Sequence, residues 1–365
     1  DSAPLYKATP AIGGYALAPE HAVAIASLNN LALLYRARGR YGDAEPLYKR
    51  SLAILEKALG PKHPLVAASL NNLALLYRAR NHSAAAEPLY QPSLATSAKA
   101  LRPEHSDVAQ SLNNLAEFYR TQGRYGDAEP LYKRSLAIFE KALGPEHPDV
   151  ATVLNNLAAL DLARNDISAA AKSWRAATTI IAHRAERGLG GASGGSSKGE
   201  AQRNSWYFGG LTKTTYRLAA KGRTDTVRKL QEMFVTAQWA HSSEAATSLA
   251  QMAARSASGD GTLAALVRER QDLVAEWQIT DKSLIAAKSQ TPDKRSAEGD
   301  KALSDRLAAI DKRLAEIDAR FAKDFPDYAA LTSPKPAKVA DVQAQLHADE
   351  ALALIRSGRD FREIA

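Results

Sequence analysis

The amino-acid sequence predicts an all-α protein, in which an α-solenoid of stacked helix pairs is followed by a helical region with a long antiparallel hairpin. The first supporting observation is the run Ser-Leu-Asn-Asn-Leu-Ala, which recurs every 42 residues at 27–32, 69–74 and 111–116, with Val replacing Ser at 153–158. The second is a heptad spacing of apolar residues between Leu303 and Phe321, typical of packed helices and coiled coils. A repeat of this length indicates supersecondary units that stack to bury a continuous core.

Composition narrows the class of protein. The absence of cysteine removes disulfides, thiolate metal sites and a cysteine nucleophile. No apolar run reaches the roughly 18 residues of a membrane span, so no membrane association is expected. The net charge of +8 is spread over both halves without a basic block, which argues against nucleic-acid binding and favours acidic peptide partners. No leader pattern follows Asp1, so a cytoplasmic location is expected, or a periplasmic or secreted one if a signal was removed.

Each repeat is predicted to open with a helix. In the first copy, Leu28, Leu31, Ala32 and Tyr35 follow the i, i+3, i+4, i+7 spacing of one helical face. Only Gly and Asn occupy the position after this helix, and these residues enter the left-handed conformation that closes a helix C-terminus. The four residues are Gly39, Asn81, Gly123 and Asn165.

A second helix is predicted to begin near Gly42, with Pro46 in its first turn, where a missing N–H costs little. A Pro-rich turn at 60–64 ends it. Small and large residues alternate where the two helices should meet, as close packing requires. The small ones are Ala32, Ala74, Ala116, Ala158, Ala44, Ala86, Ala128 and Ala170, and the large ones are Tyr48, Tyr90, Tyr132 and Trp174.

Three stretches carry a resemblance to a known family: Leu-Asn-Asn-Leu-Ala-Leu-Leu-Tyr at 28–35, Gly-Arg-Tyr-Gly-Asp-Ala-Glu-Pro-Leu-Tyr-Lys-Arg at 39–50, and Ala-Leu-Gly-Pro-Lys-His-Pro at 58–64. They resemble tetratricopeptide repeats of the 42-residue type found in kinesin light chains and many bacterial proteins. The resemblance covers residues 1–186. Residues 3–7 repeat 45–49, so the chain is expected to open on a second helix. Asp161 replaces the Tyr of the other copies, so the fourth copy is expected to be a degenerate end repeat that contacts the next part of the chain.

The second half of the chain is predicted to continue as helices. A Gly/Ser-rich linker is expected at 187–203, and helical patterns at 204–220, 224–239 and 243–257 suggest degenerate repeats over 204–258. An antiparallel hairpin is expected within 259–325, from helices at 261–289 and 296–323. Its heptad residues are Leu303, Leu307, Ile310, Leu314, Ile317 and Phe321.

Residues 326–365 resemble the entrance to a CHAT domain, a caspase-like fold found behind such repeats in bacteria. A short helix at 339–346 precedes Asp-Glu-Ala-Leu-Ala-Leu-Ile at 349–355, where the resemblance implies a first, short strand. The catalytic His and Cys of that family would lie further along, and this chain contains no cysteine. The resemblance therefore implies the non-catalytic arm of a larger peptidase.

The candidate binding residues are polar side chains that the helical core does not explain. With Leu28 at 0° on a helical wheel, Asn29 and Arg36 fall at about 80–100° and Asn30 near 200°, so both Asn are predicted to leave the core face. In the resembling families this helix lines a concave groove, where an amide can donate to and accept from a peptide backbone and Arg can hold carboxylates. Alternatively, one Asn of each pair bonds a neighbouring helix or loop. The candidates are Asn29, Asn30, Arg36, Asn71, Asn72, Arg78, Asn113, Asn114, Arg120, Asn155 and Asn156.

Two other patterns have structural interpretations. His21, His63, His105 and His147 recur with the repeat, but copies about 20 Å apart are too distant for one metal ion, so a turn or cap role is favoured. Residues 191–195 match the G-x-S-x-G nucleophile pattern, but they lie in the linker without a preceding strand. No phosphate-loop, HExxH or EF-hand pattern is present, and no cofactor is expected.

The sequence therefore predicts a non-enzymatic scaffold that binds an extended peptide or a partner protein in the groove of its repeats. The alternative is the regulatory arm of a larger CHAT-type peptidase. Nucleic-acid binding through the basic surface is a third hypothesis, which the even charge distribution disfavours.

Overall fold

The structure is a computed structural model that describes residues 19–101, 103–186, 200–221, 225–240, 261–288, 290, 296–332 and 336–346. Throughout these residues the chain forms helices and turns without a strand, as the sequence predicted for an all-α protein. The chain divides into two compact units, Asp1–Pro145 and Glu146–Ala365, which are described separately.

The described part of the first unit forms helix pairs at the 42-residue period. The pairs are α1 (Pro19–Ala37) with α2 (Tyr41–Leu59), α3 (Pro64–Ala79) with α4 (Ser83–Leu101), and α5 (Ser106–Thr121) with α6 (Tyr125–Leu143). The helices of a pair pack on each other, and each second helix also packs on the first helix of the next pair. This stacking is the solenoid arrangement that the period predicted.

The ends of the first helices confirm the prediction made from Gly and Asn. Gly39, Asn81 and Gly123 have φ values of 72°, 58° and 73°, and Asn165 in the second unit has 62°. The residue after each one donates its N–H to a carbonyl five residues back, for example Arg40 to Tyr35 at 2.8 Å. This hydrogen bond satisfies a carbonyl that the end of the helix would otherwise leave open.

The starts of the helices confirm one prediction and correct another. The Nδ1 atoms of His63, His105 and His147 accept the N–H two residues later at 3.1–3.2 Å, so these histidines cap α3, α5 and α7. His21 lies inside α1. The second helix begins at Tyr41, earlier than predicted, and Pro46 therefore lies in its second turn and not in the first.

The predicted alternation of small and large residues fills the core of the first unit. Ala32, Ala44, Ala74, Ala86, Ala116 and Ala128 are fully buried, as are the rings of Tyr48, Tyr90 and Tyr132. Hydrogen bonds tie the helices of a pair together as well. The Ser93 hydroxyl donates to the Ala67 carbonyl, and the Ser135 hydroxyl donates to the Ala109 carbonyl, both at 2.7 Å.

The second unit begins with the fourth helix pair. In chain order its described helices are α7 (Pro148–Ala163), α8 (Ile167–Glu186), α9 (Glu200–Arg203), α10 (Ser205–Lys221), α11 (Thr226–Ala240), α12 (Gly261–Lys288), α13 (Ala297–Asp324), α14 (Pro326–Thr332) and α15 (Val339–Gln343). The helix α8 packs on α7 and α10, and α10 packs on α11. The fourth pair therefore contacts the helices after it, as predicted.

The helices α12 and α13 form the predicted hairpin. Val267 near the start of α12 clusters with Phe321 near the end of α13, whereas Trp277 clusters with Ile310, so the two helices run antiparallel. Bidentate ion pairs from Arg313 to Glu269 and from Arg306 to Glu276 flank this apolar contact. The heptad residues predicted from the sequence thus form the hairpin core.

Four predictions lie outside the described residues. They are the opening helix before residue 19, the linker at 187–199, the helix at 243–257, and the C-terminal strand with most of the CHAT-like segment after residue 346.

The contact between Gly210 and Trp174 gives a testable prediction about the second unit. A Cβ atom at Gly210 would lie 2.4 Å from the Trp174 ring, closer than atoms can approach. We expect Gly210→Ala to lower the free energy of unfolding by about 2 kcal/mol, because overpacking outweighs the gain in helix propensity. Urea denaturation followed by tryptophan fluorescence measures this. The control is Gly261→Ala, where no atom lies within 4 Å. Equal stability of the two variants would contradict the packing described here.

Candidate functional site

The structure separates the two Asn residues of each pair. The first is buried in every repeat, which makes the prediction that both Asn leave the core face wrong for these residues: Asn29, Asn71, Asn113 and Asn155. The second residue is exposed at Asn30, partly exposed at Asn72 and Asn156, and buried at Asn114. The helical wheel failed because it treats one helix alone, whereas a neighbouring helix covers its flank.

The buried amides bridge helices. Asn114 Nδ2 donates to Asn71 Oδ1 at 3.2 Å, which joins α5 to α3, and Gln110 donates to Asn114 Oδ1 at 3.0 Å. In the second unit, Trp174 Nε1 donates to Asn155 Oδ1 at 2.9 Å, while Asn155 Nδ2 donates to Asn156 Oδ1 at 3.2 Å. These contacts match the alternative in which one Asn of a pair bonds a neighbouring helix.

The periodic arginines differ in their partners. Arg120 holds the carboxylate of Glu117 with two hydrogen bonds of 2.8 Å, and the Tyr132 hydroxyl donates to the same carboxylate at 2.7 Å. Arg78 Nη1 lies 3.6 Å from Glu117 Oε1. Burial alone raises the pKa of the Glu117 carboxyl, but the hydrogen bonds from Arg120 and Tyr132 outweigh it and hold this pKa below its usual value.

An open pocket lies one repeat earlier. It has a volume of about 420 Å³ and is lined by Arg36, Tyr41, Leu75, Arg78 and Ala79. Arg36 has no hydrogen-bond or ion-pair partner among the described residues. Leu75 occupies the repeat position that Glu117 occupies in α5, so the pocket brings Arg36 and Arg78 together without an intervening carboxylate.

The tyrosines beneath this surface show the same difference. Tyr132 is bonded to Glu117, whereas the hydroxyls of Tyr48 and Tyr90 are buried without a hydrogen-bond partner among the described residues. Burial raises the pKa of Tyr90 to about 12, and the guanidinium groups of Arg78 and Arg36 act in the opposite direction. Glu117 was not among the residues predicted from the sequence. Its signal was a single departure from the repeat, since Leu stands at the same position in the two copies before it.

Sites of two other kinds are absent from the part of the chain that the structure describes. No three His, Asp or Glu side chains come together there in a way that would hold a metal ion. None of the helices described is both long and apolar enough to cross a membrane.

The stacked helix pairs and their shared sequence define a helical-repeat protein. The family model for the tetratricopeptide repeat matches residues 23–99 and 107–180, which cover α1 to α8 almost completely. This part of the chain therefore consists of tetratricopeptide repeats, a module that typically mediates protein–protein interaction.

Solved structures with a related arrangement include three helical-repeat proteins. BtubC (BKLC) from P. vanneervenii is 23% identical with a TM-score of 0.49, over 63% of this chain and 84% of that one. Kinesin light chain TPR-like repeats of Podosopora anserina are 25% identical with a TM-score of 0.45, over 60% and 96%. The pilF protein of Pseudomonas aeruginosa is 20% identical with a TM-score of 0.41, over 73% and 93%. No curated protein matches the sequence.

Proposed function

We propose that this protein is a scaffold and not an enzyme, and that its repeats hold an extended segment of a partner protein on the face formed by their first helices. The observation that carries the proposal is the pocket of about 420 Å³, where Arg36 and Arg78 meet at an open surface. Side chains that serve only the fold have partners within it, as Arg120 has in Glu117, whereas Arg36 has none among the described residues. The module itself is one that typically binds proteins.

The proposal assigns different roles to the candidate residues. Asn30, Asn72 and Asn156 are exposed or partly exposed, so their amides are available to a peptide backbone. Asn71 and Asn114 act indirectly, because their mutual hydrogen bond fixes the spacing of α3 and α5. The net charge of +8 favours acidic partners by electrostatic steering, and neither nucleic acid nor a membrane is part of the proposal.

A steric block tests the proposed binding face. Peptides are selected from a displayed random library on the full chain, and their affinities for two tryptophan variants are compared by fluorescence anisotropy. Ala79→Trp fills the pocket from an exposed position on α3, and we expect it to weaken binding about tenfold or more. The matched control is Ala95→Trp, from an exposed position on α4, which should bind within about twofold of the native chain. Equal losses in both variants, or no selected peptide at all, would remove this face from the function.

A second proposal comes from the order of elements in the tail. The short helices α14 and α15 precede the Asp-Glu-Ala-Leu run that resembles the entrance to a CHAT domain. In this proposal the chain is the regulatory arm of a larger caspase-like peptidase. The test is the coding sequence after Ala365, where a His and a Cys in a caspase-like context would support the proposal and a stop codon would end it.

A further inference from the structure

The repeats allow the same position to be compared several times within one molecule. Glu117 in α5 is replaced by Leu75 in α3 and by Leu33 in α1. The arginine three residues later is the same in all three copies, as Arg36, Arg78 and Arg120 show, and so is the tyrosine of the second helix. A carboxylate is thus present in one copy and absent from two, while the groups that would surround it are kept.

Glu117 shows what such a carboxylate does. It is held by Arg120 at 2.8 Å and by Tyr132 at 2.7 Å, and it faces Arg78 of the preceding repeat at 3.6 Å. It therefore lies between two guanidinium groups that belong to successive repeats. A paired carboxylate of this kind satisfies both the positive charge and the hydrogen-bonding capacity of its neighbours.

One repeat earlier, the surroundings are the same but the carboxylate is missing. Arg36 and Arg78 take the places of Arg78 and Arg120, and both line the open pocket. Leu75 stands where the acidic residue would be, and its side chain cannot accept a hydrogen bond. The Tyr90 hydroxyl, which corresponds to that of Tyr132, is buried without a partner among the described residues. Two independent observations therefore indicate an anionic acceptor supplied from outside: the unpartnered cation and the unpartnered buried hydroxyl.

We propose that this pocket binds a carboxylate side chain, an Asp or Glu of the bound segment, between Arg36 and Arg78. The inference rests on the proposed function and names the chemistry of the ligand at this point of the face. The bound carboxylate takes the position that Glu117 takes between Arg78 and Arg120. A carboxylate is favoured over other anions because the copy in α5 is filled by one.

The test asks whether an internal carboxylate displaces the external one. The probes are peptides selected on the full chain, each synthesised with its acidic residues and with Gln or Asn in their place. We expect the acidic form to bind the native chain at least about tenfold more tightly than the amide form. The variant Leu75→Glu should abolish this preference by supplying its own carboxylate to Arg36 and Arg78, whereas the neutral control Leu75→Gln should retain it.

A second variant covers the case in which Leu75→Glu fails to fold. Arg36→Gln removes a partly exposed side chain without a described partner, so the fold is expected to persist, and the acidic preference should fall about tenfold. Failure to select any peptide would overturn the proposed function itself. Selected peptides that bind Leu75→Glu and the native chain equally, or whose amide forms bind as well as the acidic ones, would overturn the carboxylate site alone.

Discussion

Replacing Arg120 by Met is expected to lower the stability of the first unit by about 3 kcal/mol. The substitution removes both hydrogen bonds of 2.8 Å to Glu117 and leaves this carboxylate largely buried, with 20% of its side chain exposed. Tyr132 and Arg78 remain near it but do not replace a bidentate partner. Breaking such a pair from one side is costly, because the remaining charge has lost its water without keeping its partner.

The measurement must report on the first unit. All four tryptophans lie in the second unit, at Trp174, Trp206, Trp239 and Trp277, so their fluorescence does not follow α5. Hydrogen exchange of the α5 amides does. The matched control is Arg134→Met, at an exposed arginine of α6, which should change stability by less than about 0.5 kcal/mol.

A double variant separates the ion pair from packing. Glu117→Leu combined with Arg120→Met removes both charges and places at residue 117 the side chain found in the two preceding copies. It should cost less than Arg120→Met alone, since no unpaired charge stays buried. If the single arginine substitution costs no more than the control, the pair does not stabilise the fold as argued.

Lowering the pH from about 7 to about 4 is expected to remove about 3 kcal/mol of stability from the second unit through His147 alone. Burial lowers the pKa of His147 to about 4 from its ordinary value of 6.5, and the charges of Arg184 and Lys288 act in the same direction. The unfolded chain therefore binds a proton at higher pH than the folded one. The stabilisation is complete above pH 6.5 and is lost as the pH falls towards 4.

The structural reason is the helix cap. His147 Nδ1 accepts the backbone N–H of Asp149 at 3.1 Å, which requires the lone pair of a neutral ring. The Asp149 carboxylate lies 3.5 Å from the same nitrogen and is the nearby group that would favour protonation. The control is His147→Asn, because Asn also caps helices and has no charge to gain. Urea denaturation followed by tryptophan fluorescence should show a smaller loss with acid in this variant, and an identical loss would exclude His147 as the cause.

Much of the fold was predictable because the repeats restate the same local rules. Helix ends were the clearest case: only Gly and Asn tolerate the φ values of 58° to 73° found at Gly39, Asn81 and Gly123, so the sequence reports the conformation directly. The hairpin was predictable because its apolar spacing extends over several turns. The position of Pro46 was not, because the first turn of α2 begins before any strong start signal.

The candidate site was harder to predict, since it depends on contacts between helices. A helical wheel gives the direction of Asn71, but it does not show that Asn114 of another helix approaches to 3.2 Å. The consequence of replacing Leu75 by Glu117 in the next copy also becomes visible only when Arg78 is seen beside both residues. Periodicity emphasised what the copies share, whereas the functional information lay in the position where they differ.

Glu117 has a further consequence for an array of nearly identical copies. A segment bound along equivalent repeats would meet similar contacts after sliding by one repeat, so its alignment would be ambiguous. The carboxylate of Glu117 already occupies the place between Arg78 and Arg120, and it repels a second acidic group there. An acidic residue of the ligand is then accepted only beside Leu75. One substitution thus fixes a single register, much as one buried polar residue fixes the alignment of a coiled coil.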